Sequence, residues 1–311
     1  MLNHQKFQKD VLARPLHPPH QKMGILISCS RGKTTISHHQ PHSKSELLHR
    51  NTKPNLNVEH VMATKRKRAL QKPQRASEPT WNLPRETLRA TIGYNKYGAY
   101  CVPIASSHRP AAHRILAGDV YEPDTINYMI ANARNGDIIH AGAYFGDFLP
   151  ALAHSTRGTV WAFEPNRQNF RCAEISILLN DLSNVRLFNA GLGARSGTAK
   201  LQVAASDGSC LGGASHVVEG PAGEHLPGVE TVSLVTIDDV VPPDRKVSIL
   251  QLDVEHYEKA ALSGAMRTVR ACLPILILES EVEHAWFSEH VLKLGYVERG
   301  SLHGNKVFGC D

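Results

Sequence analysis

From Asp137 onward, short apolar runs that end in glycine, proline or an acid alternate with stretches of helical period, and few architectures accept that alternation. The runs are "DIIHAG" (137–142), "GTVWAFEP" (158–165), "NVRLFNAGLG" (184–193), "KVSILQLDVE" (246–255) and "LPILILES" (273–280). Between them, "DFLPALAHS" (147–155), "RQNFRCAEISILLN" (167–180) and "YEKAALSGAMRTV" (257–269) read as helices. Phe170, Ala173, Ile177 and Leu178 of the second are expected to face the sheet. A strand, a helix and another strand at this pace imply parallel strands covered by helices on both faces. "GTAKLQVAA" (197–205) and "GVETVSLVTIDDV" (228–240) read as extended and bracket a Gly- and Ser-rich loop at 206–227. The closing "HVLKLGYVERGSLHGNKVFG" reads as a helix end followed by an antiparallel hairpin. The predicted fold over 135–311 is therefore a doubly wound α/β, Rossmann-like sheet of seven mostly parallel strands with a C-terminal antiparallel hairpin.

The preceding sequence differs in kind. Residues 1–80 hold 15 Lys or Arg against 4 Asp or Glu, together with 8 of the 18 histidines. The other 231 residues hold 20 basic and 25 acidic side chains, so the overall charge of +6 belongs to the leader. A net acidic folded part argues against nucleic acid as the partner. The leader is expected to be disordered, with "MGILISC" (23–29) as its one short strand or helical turn. Its "SHHQPH" (37–42) and "KRKR" (65–68) suit a solvated tail better than a metal or nucleic-acid site. Residues 81–134 are expected to form a lid or support ahead of the sheet. Within it "YNKYGAYCVP" (94–103) reads as a hairpin, and "EPDTINYMIANA" (122–133) as a helix packing Ile126, Met129 and Ile130.

Six cysteines at 29, 101, 172, 210, 272 and 310 show no zinc-like spacing and suit reduced thiols in a cytoplasmic protein. No run approaches the roughly 18 apolar residues that a membrane span needs.

Chemistry is expected at the carboxyl ends of the strands. In "HAGAYFGDF", Gly142 allows a sharp turn and Gly146 a close approach of a helix to a ligand or a neighbour. Neither G-x-G-x-x-G nor G-x-x-x-x-G-K-[ST] occurs, which speaks against a dinucleotide enzyme and a P-loop NTPase. Glu164 stands about twenty residues past Gly142, where a carboxylate accepts both ribose hydroxyls or caps the turn before Pro165. Asn189 and Ala190 close the third strand and border the place of an adenine. In "LDVEHYE", strand alternation puts Asp253 and Glu255 on one face near the exit, where they orient an acceptor hydroxyl, bind a cation or take a proton. His256 is the adjacent candidate base, or with Glu255 it caps the next helix. Glu279 is an acid at the same rim, read as a loop anchor. Ser206, Asp207, Gly208 and Ser209 could close over a ligand.

The motifs "DIIHAGAYFGDF", "VWAFEPNRQNF", "VRLFNAGLGARSGTAKLQV", "VTIDDV" and "LQLDVEHYEKAALSGA" together resemble the FkbM family of S-adenosylmethionine-dependent methyltransferases over roughly 135–280. The resemblance implies a class I methyltransferase fold, S-adenosylmethionine as cofactor and methylation of a hydroxyl on a sugar or small metabolite. It implies Gly142, Ala143 and Gly146 under the methionine part of the cofactor, Glu164 on the ribose with Asn166 nearby, and Asp253 and Glu255 along the methyl-transfer cleft. The chain departs from the family pattern at His140, where an acid is usual, at Tyr144, where Asn is usual, and at His256, where Gly is usual. The methionine-end contact then falls to His140 through a water, or to Asp147. Asp253 or His256 is the expected base, and no metal is required. Rival readings are a methyltransferase-fold scaffold without turnover and an NAD-dependent oxidoreductase.

Met62 opens "MATKRKRAL", and nothing before it has a foldable pattern, so Met62 is the expected natural start. The intact mass of the native protein should begin there; a mass that includes residues 1–61 contradicts this.

Overall fold

The computed structural model describes residues 88–218 and 227–310, and the backbone alone of two short strands in the leader. Those strands, β1 (Ile27–Ser30) and β2 (Lys33–Ile36), pair antiparallel. The expected disorder of the leader, the His cluster, the basic run and Met62 otherwise lie outside the described residues.

The main unit begins with a hairpin, β3 (Ala90–Asn95) and β4 (Gly98–Pro103), followed by α1 (Pro110–Leu116) and α2 (Pro123–Asn132). Strand and helix then alternate through β5 (Asp137–Ala141), α3 (Leu149–Ser155), β6 (Val160–Phe163), α4 (Arg167–Leu179) and β7 (Val185–Phe188). A smaller set follows: β8 (Gly191–Leu192), β9 (Gly197–Gln202), β10 (His216–Val218), β11 (Val229–Val235) and α5 (Ile237–Val240). Last come β12 (Val247–Leu252), α6 (Glu258–Ser263), α7 (Met266–Cys272), β13 (Ile275–Leu278), α8 (His284–His290), β14 (Val297–Leu302) and β15 (Asn305–Gly309). The main sheet has the order β14-β15-β13-β12-β5-β6-β7, and β15 runs antiparallel to both its neighbours while the other pairs are parallel. This is the seven-stranded, doubly wound architecture that the apolar runs predict. Among the described residues no helix is long and apolar enough to cross a membrane.

Alternation along the strands fills two cores. Ile139, Ala141, Phe163, Leu250, Leu252, Leu276 and Leu278 point to one face, where α6, α7 and Phe287 of α8 cover them. Ile138, Val160, Ala162, Ile249, Ile277 and Val307 point to the other, beneath α2, α3 and α4. Each fully buried aliphatic side chain contributes on the order of 1.5–3 kcal/mol, so burial on both faces makes this sheet the rigid part of the molecule.

Several elements differ from expectation, each for a local reason. The segment 228–240 is extended only to Val235, because the Thr236 hydroxyl accepts the Asp239 N–H at 3.0 Å and starts α5. The helix expected over 257–269 is two helices. A Cβ at Gly264 would lie 2.1 Å from the Gly193 carbonyl oxygen, and the Asp238 carboxylate accepts the Arg267 and Thr268 N–H groups that open α7. On α4, Asn169, Cys172, Ala173 and Ser176 are buried, whereas Leu178 is 74% exposed. Its inward face is polar because the β3–β4 hairpin docks on it. The Cys101 N–H donates to the Ser176 hydroxyl at 3.0 Å, and Asn180 brackets Ala99 through both its N–H and C=O. The expected loop at 206–227 contains β10, which pairs with β9; residues 219–226 are outside the described set.

Asp137 anchors the amino end of β5. Its buried carboxylate accepts from Thr159 N, Trp161 Nε1 and two nitrogens of Arg245. Burial works upward on its pKa, yet Arg245 and the other donors hold it below the usual carboxylate value. Asp137→Ala leaves those donors without their acceptor and should lower the unfolding free energy by about 3 kcal/mol in chemical denaturation. A loss under about 1 kcal/mol would contradict the anchoring role.

Candidate functional site

The strand order reverses between β5 and β12, and the crevice beyond their carboxyl ends is where an open α/β sheet receives a ligand. Beyond Ala141 the chain turns at Gly142, whose φ is 81° and where a Cβ would lie 1.9 Å from the Asp253 carbonyl oxygen. Only glycine fits that approach. The N–H groups of Gly142 and Ala143 both donate to the Phe163 carbonyl, tying the turn to the end of β6. Glu164 follows directly and is buried. Its Oε2 accepts the Tyr144 N–H and its Oε1 the Asn166 N–H, both at 2.8 Å. One carboxylate therefore holds two loops while it lines the crevice. Burial lifts its pKa to about 8, although those N–H donors pull the other way.

Two cavities meet at Gly142 and Asp253. The first is a mainly apolar slot between Phe163, Leu192 and Leu234, with Glu164 and Tyr257 at its wall. Gly213 and Ser215, within the expected loop, close its far side. The second is a polar chamber of about 280 Å³. Five carboxyl groups line it, those of Glu122, Asp147, Asp253, Glu255 and Glu279, together with His140, Tyr144 and Arg109.

The expected site residues divide accordingly. His140, Gly142, Asp147, Glu164, Asp253 and Glu255 line the crevice. Ala143 is packed in the core beneath the helices, and at Gly146 (φ 86°) a Cβ would lie 3.5 Å from the Ala173 Cα, against α4. Asn166 caps α4, accepting the Gln168 and Asn169 N–H groups, and donates to the Ser215 hydroxyl. Asn189 donates to the Glu164 and Pro165 carbonyls and so clamps the exit of β6, while Ala190 lines the slot. Strand alternation does not carry past Leu252, since Glu255 (φ 51°) and His256 (φ 73°) sit in a left-handed turn. That turn leaves Glu255 half-buried at the chamber and His256 exposed, outside both cavities. Arg109, Tyr121 and Tyr257 carry no sequence pattern that marks them. Glu122 stands before Pro123 in what reads as a plain helix start.

The chamber is electrostatically loaded. Burial raises Asp147 to about 7. Burial, and then the neighbouring Glu279, push both Asp253 and Glu255 upward. His140 is 2% exposed, and burial lowers its pKa to about 4, so the ring is neutral. Its Nδ1 bonds the Gln251 amide oxygen on the adjacent strand, and it stacks on Phe148 with centroids 5.3 Å apart. The Nδ1–H donates to that oxygen, which leaves Nε2 an acceptor, and Nε2 has no hydrogen-bond partner.

A sequence-family model described as the methyltransferase FkbM domain matches residues 140–300. Among solved structures, the chain is similar to the methyltransferase FkbM of Methylobacillus flagellatus KT, with 18% identity over 56% of this chain and a TM-score of 0.40. It spans 43% of the length of that relative. It is also similar to a SAM-dependent methyltransferase from Aquifex aeolicus, with 11% identity over 61% of this chain and 88% of the other, and a TM-score of 0.33. No curated protein matches the chain.

Two buried acids of the crevice set a pH dependence. Asp147 and Glu164 have folded pKa values near 7 and 8, above their ordinary 3.8 and 4.5. Groups raised in this way favour the fold fully below the ordinary value, and that contribution is lost as pH rises through the folded one. The melting temperature of the ligand-free protein should fall from about pH 5 to about pH 8. Asp147→Asn should flatten the part of that fall below about pH 7, and a profile identical to wild type would contradict the assignment.

Proposed function

The chain belongs to the FkbM methyltransferase domain family, and from that premise we propose that it moves a methyl group from S-adenosylmethionine to a hydroxyl oxygen of a sugar or small metabolite. The observation that carries this reading is the single crevice in which an apolar slot with one buried carboxylate opens, at Gly142 and Asp253, into a chamber of acids.

The residues suit the cofactor. Phe163, Leu192 and Leu234 offer apolar walls to a purine, and Glu164 Oε2, which holds only the Tyr144 N–H while Oε1 accepts from Asn166 and Asn169, retains acceptor capacity for a ribose hydroxyl. The chamber's carboxyl groups favour the cationic end of the same molecule, with Asp147 as the partner for its ammonium group. When bound, S-adenosylmethionine supplies a methyl carbon on a positively charged sulfur.

The remaining task is to align an acceptor oxygen and remove its proton. Asp253 lines both cavities, so its carboxylate, in the deprotonated form, stands where it can accept that proton. Glu255 lies beside it to orient the hydroxyl. His256, exposed outside the chamber, is the weaker candidate base. Arg109, Tyr121 and Tyr144, from the hairpin side and the first turn, wall the chamber and would shape acceptor choice.

Calorimetric titration of the full chain with S-adenosylmethionine tests this. Micromolar binding that weakens at least about tenfold in Glu164→Gln is expected, equivalent to about 1.4 kcal/mol. Absence of binding by folded wild-type protein would contradict the reading and favour a methyltransferase fold kept as a scaffold.

A further inference from the structure

Asp253 and Glu279 follow the ends of the adjacent parallel strands β12 and β13, and Glu255 returns toward them through its left-handed turn. The Glu279 N–H donates to the Leu252 carbonyl at 3.0 Å, which keeps the two strand ends in step. As a result one carboxylate oxygen from each of Asp253, Glu255 and Glu279 lies within 4.8 Å of the others. Opposite ligands of a six-coordinate Mg²⁺ stand roughly 4.2 Å apart, at bond lengths of about 2.1 Å, so small side-chain rotations bring all three into a coordination shell. Lys259 of α6 and Lys306 of β15 pair with Glu283 and Glu281.

A second, independent feature points to an occupant. His140 is buried, lines the same chamber and has Nδ1 committed to Gln251, yet its Nε2 lacks a partner. A buried acceptor left unsatisfied is costly, and a water carried on a cation in the chamber would donate to it.

We propose that Asp253, Glu255 and Glu279 bind a hard divalent cation of the Mg²⁺ class, with His140 Nε2 accepting from a water in its shell. An all-oxygen ligand set selects Mg²⁺, Mn²⁺ or Ca²⁺ over the softer transition metals. With three protein ligands, the remaining positions are open to oxygens of the acceptor. The site therefore favours acceptors that offer two oxygens in chelating distance, a vicinal diol or a hydroxyl beside a carbonyl. This role in acceptor choice rests on the methyl-transfer reading above, whereas cation binding does not. Asp253 would ligate through one oxygen and keep the other for the acceptor's proton.

The test is electron paramagnetic resonance of Mn²⁺ with the full chain, competed by Mg²⁺, for wild type, Glu279→Gln at its exposed position, and Glu255→Gln. About one Mn²⁺ per chain should bind, be displaced by Mg²⁺, and be weakened at least about tenfold in either variant. Mn²⁺ binding of this pattern by a protein that takes up no S-adenosylmethionine would sustain the site and overturn only the cofactor reading. No Mn²⁺ uptake at millimolar concentration, or equal uptake by wild type and both folded variants, overturns the proposal. Expulsion of Mn²⁺ by saturating S-adenosylmethionine also overturns it, because the acids would then serve the cofactor's own positive charge.

Discussion

The contact between Gly142 and the Asp253 carbonyl is the constraint on which the rest of the structure depends. It lies where β5 and β12 leave the sheet, and a side chain at residue 142 would collide with the backbone of the other strand's exit. Because β5 feeds a helix on one face and β12 a helix on the other, the two exits part immediately after this contact and leave a crevice between them. The slot and the acid chamber are the two halves of that crevice, and Asp253 belongs to both.

Polar groups in the crevice are held at a cost that the surrounding fold sustains. Glu164 is surrounded by N–H donors from Tyr144 and Asn166, so its orientation is set before any ligand arrives. Burial pushes Asp147, Asp253 and Glu255, like Glu164, toward their protonated forms. The opposite end of β5 shows the contrast. There Asp137 is also buried but paired with Arg245, and its pKa moves down. The paired acid serves stability, while the crowded and poorly compensated acids mark the place that suits a cation, a proton or a polar ligand.

Much of the fold was legible in the sequence because strands buried on both faces must be nearly continuous apolar runs, as in "KVSILQL" and "LPILIL". The smaller sheet was legible in part. β9 and β11 fall in the two runs read as extended, whereas β10 lies within the expected loop and β8 is a two-residue element that only its parallel pairing with β11 defines. Leu178 shows the limit of periodicity. It fits an apolar stripe, but the docked hairpin buries Ser176 and reaches Asn180, which turns the helix so that Leu178 faces solvent. At the site, Glu164 and Asp253 were readable because strand ends are where acids gain a purpose. Glu255 reaches the chamber beside Asp253 as anticipated, but through a left-handed turn rather than strand alternation, and the same turn carries His256 outside it. Arg109, Tyr121 and Glu122 come to the chamber from the segment preceding the sheet, and no local spacing anticipates that arrival.

The central claim is that one cofactor lies along the whole crevice, from the slot past Gly142 to the chamber. Hydrogen–deuterium exchange of the full chain with and without S-adenosylhomocysteine tests it most directly. The account predicts slowed exchange at Gly142–Phe148, Phe163–Asn166 and Asp253–Tyr257 together, with the Asp137 and Arg245 end of the sheet unchanged. Protection confined to one of these segments, or appearing at the Asp137 end instead, would contradict it.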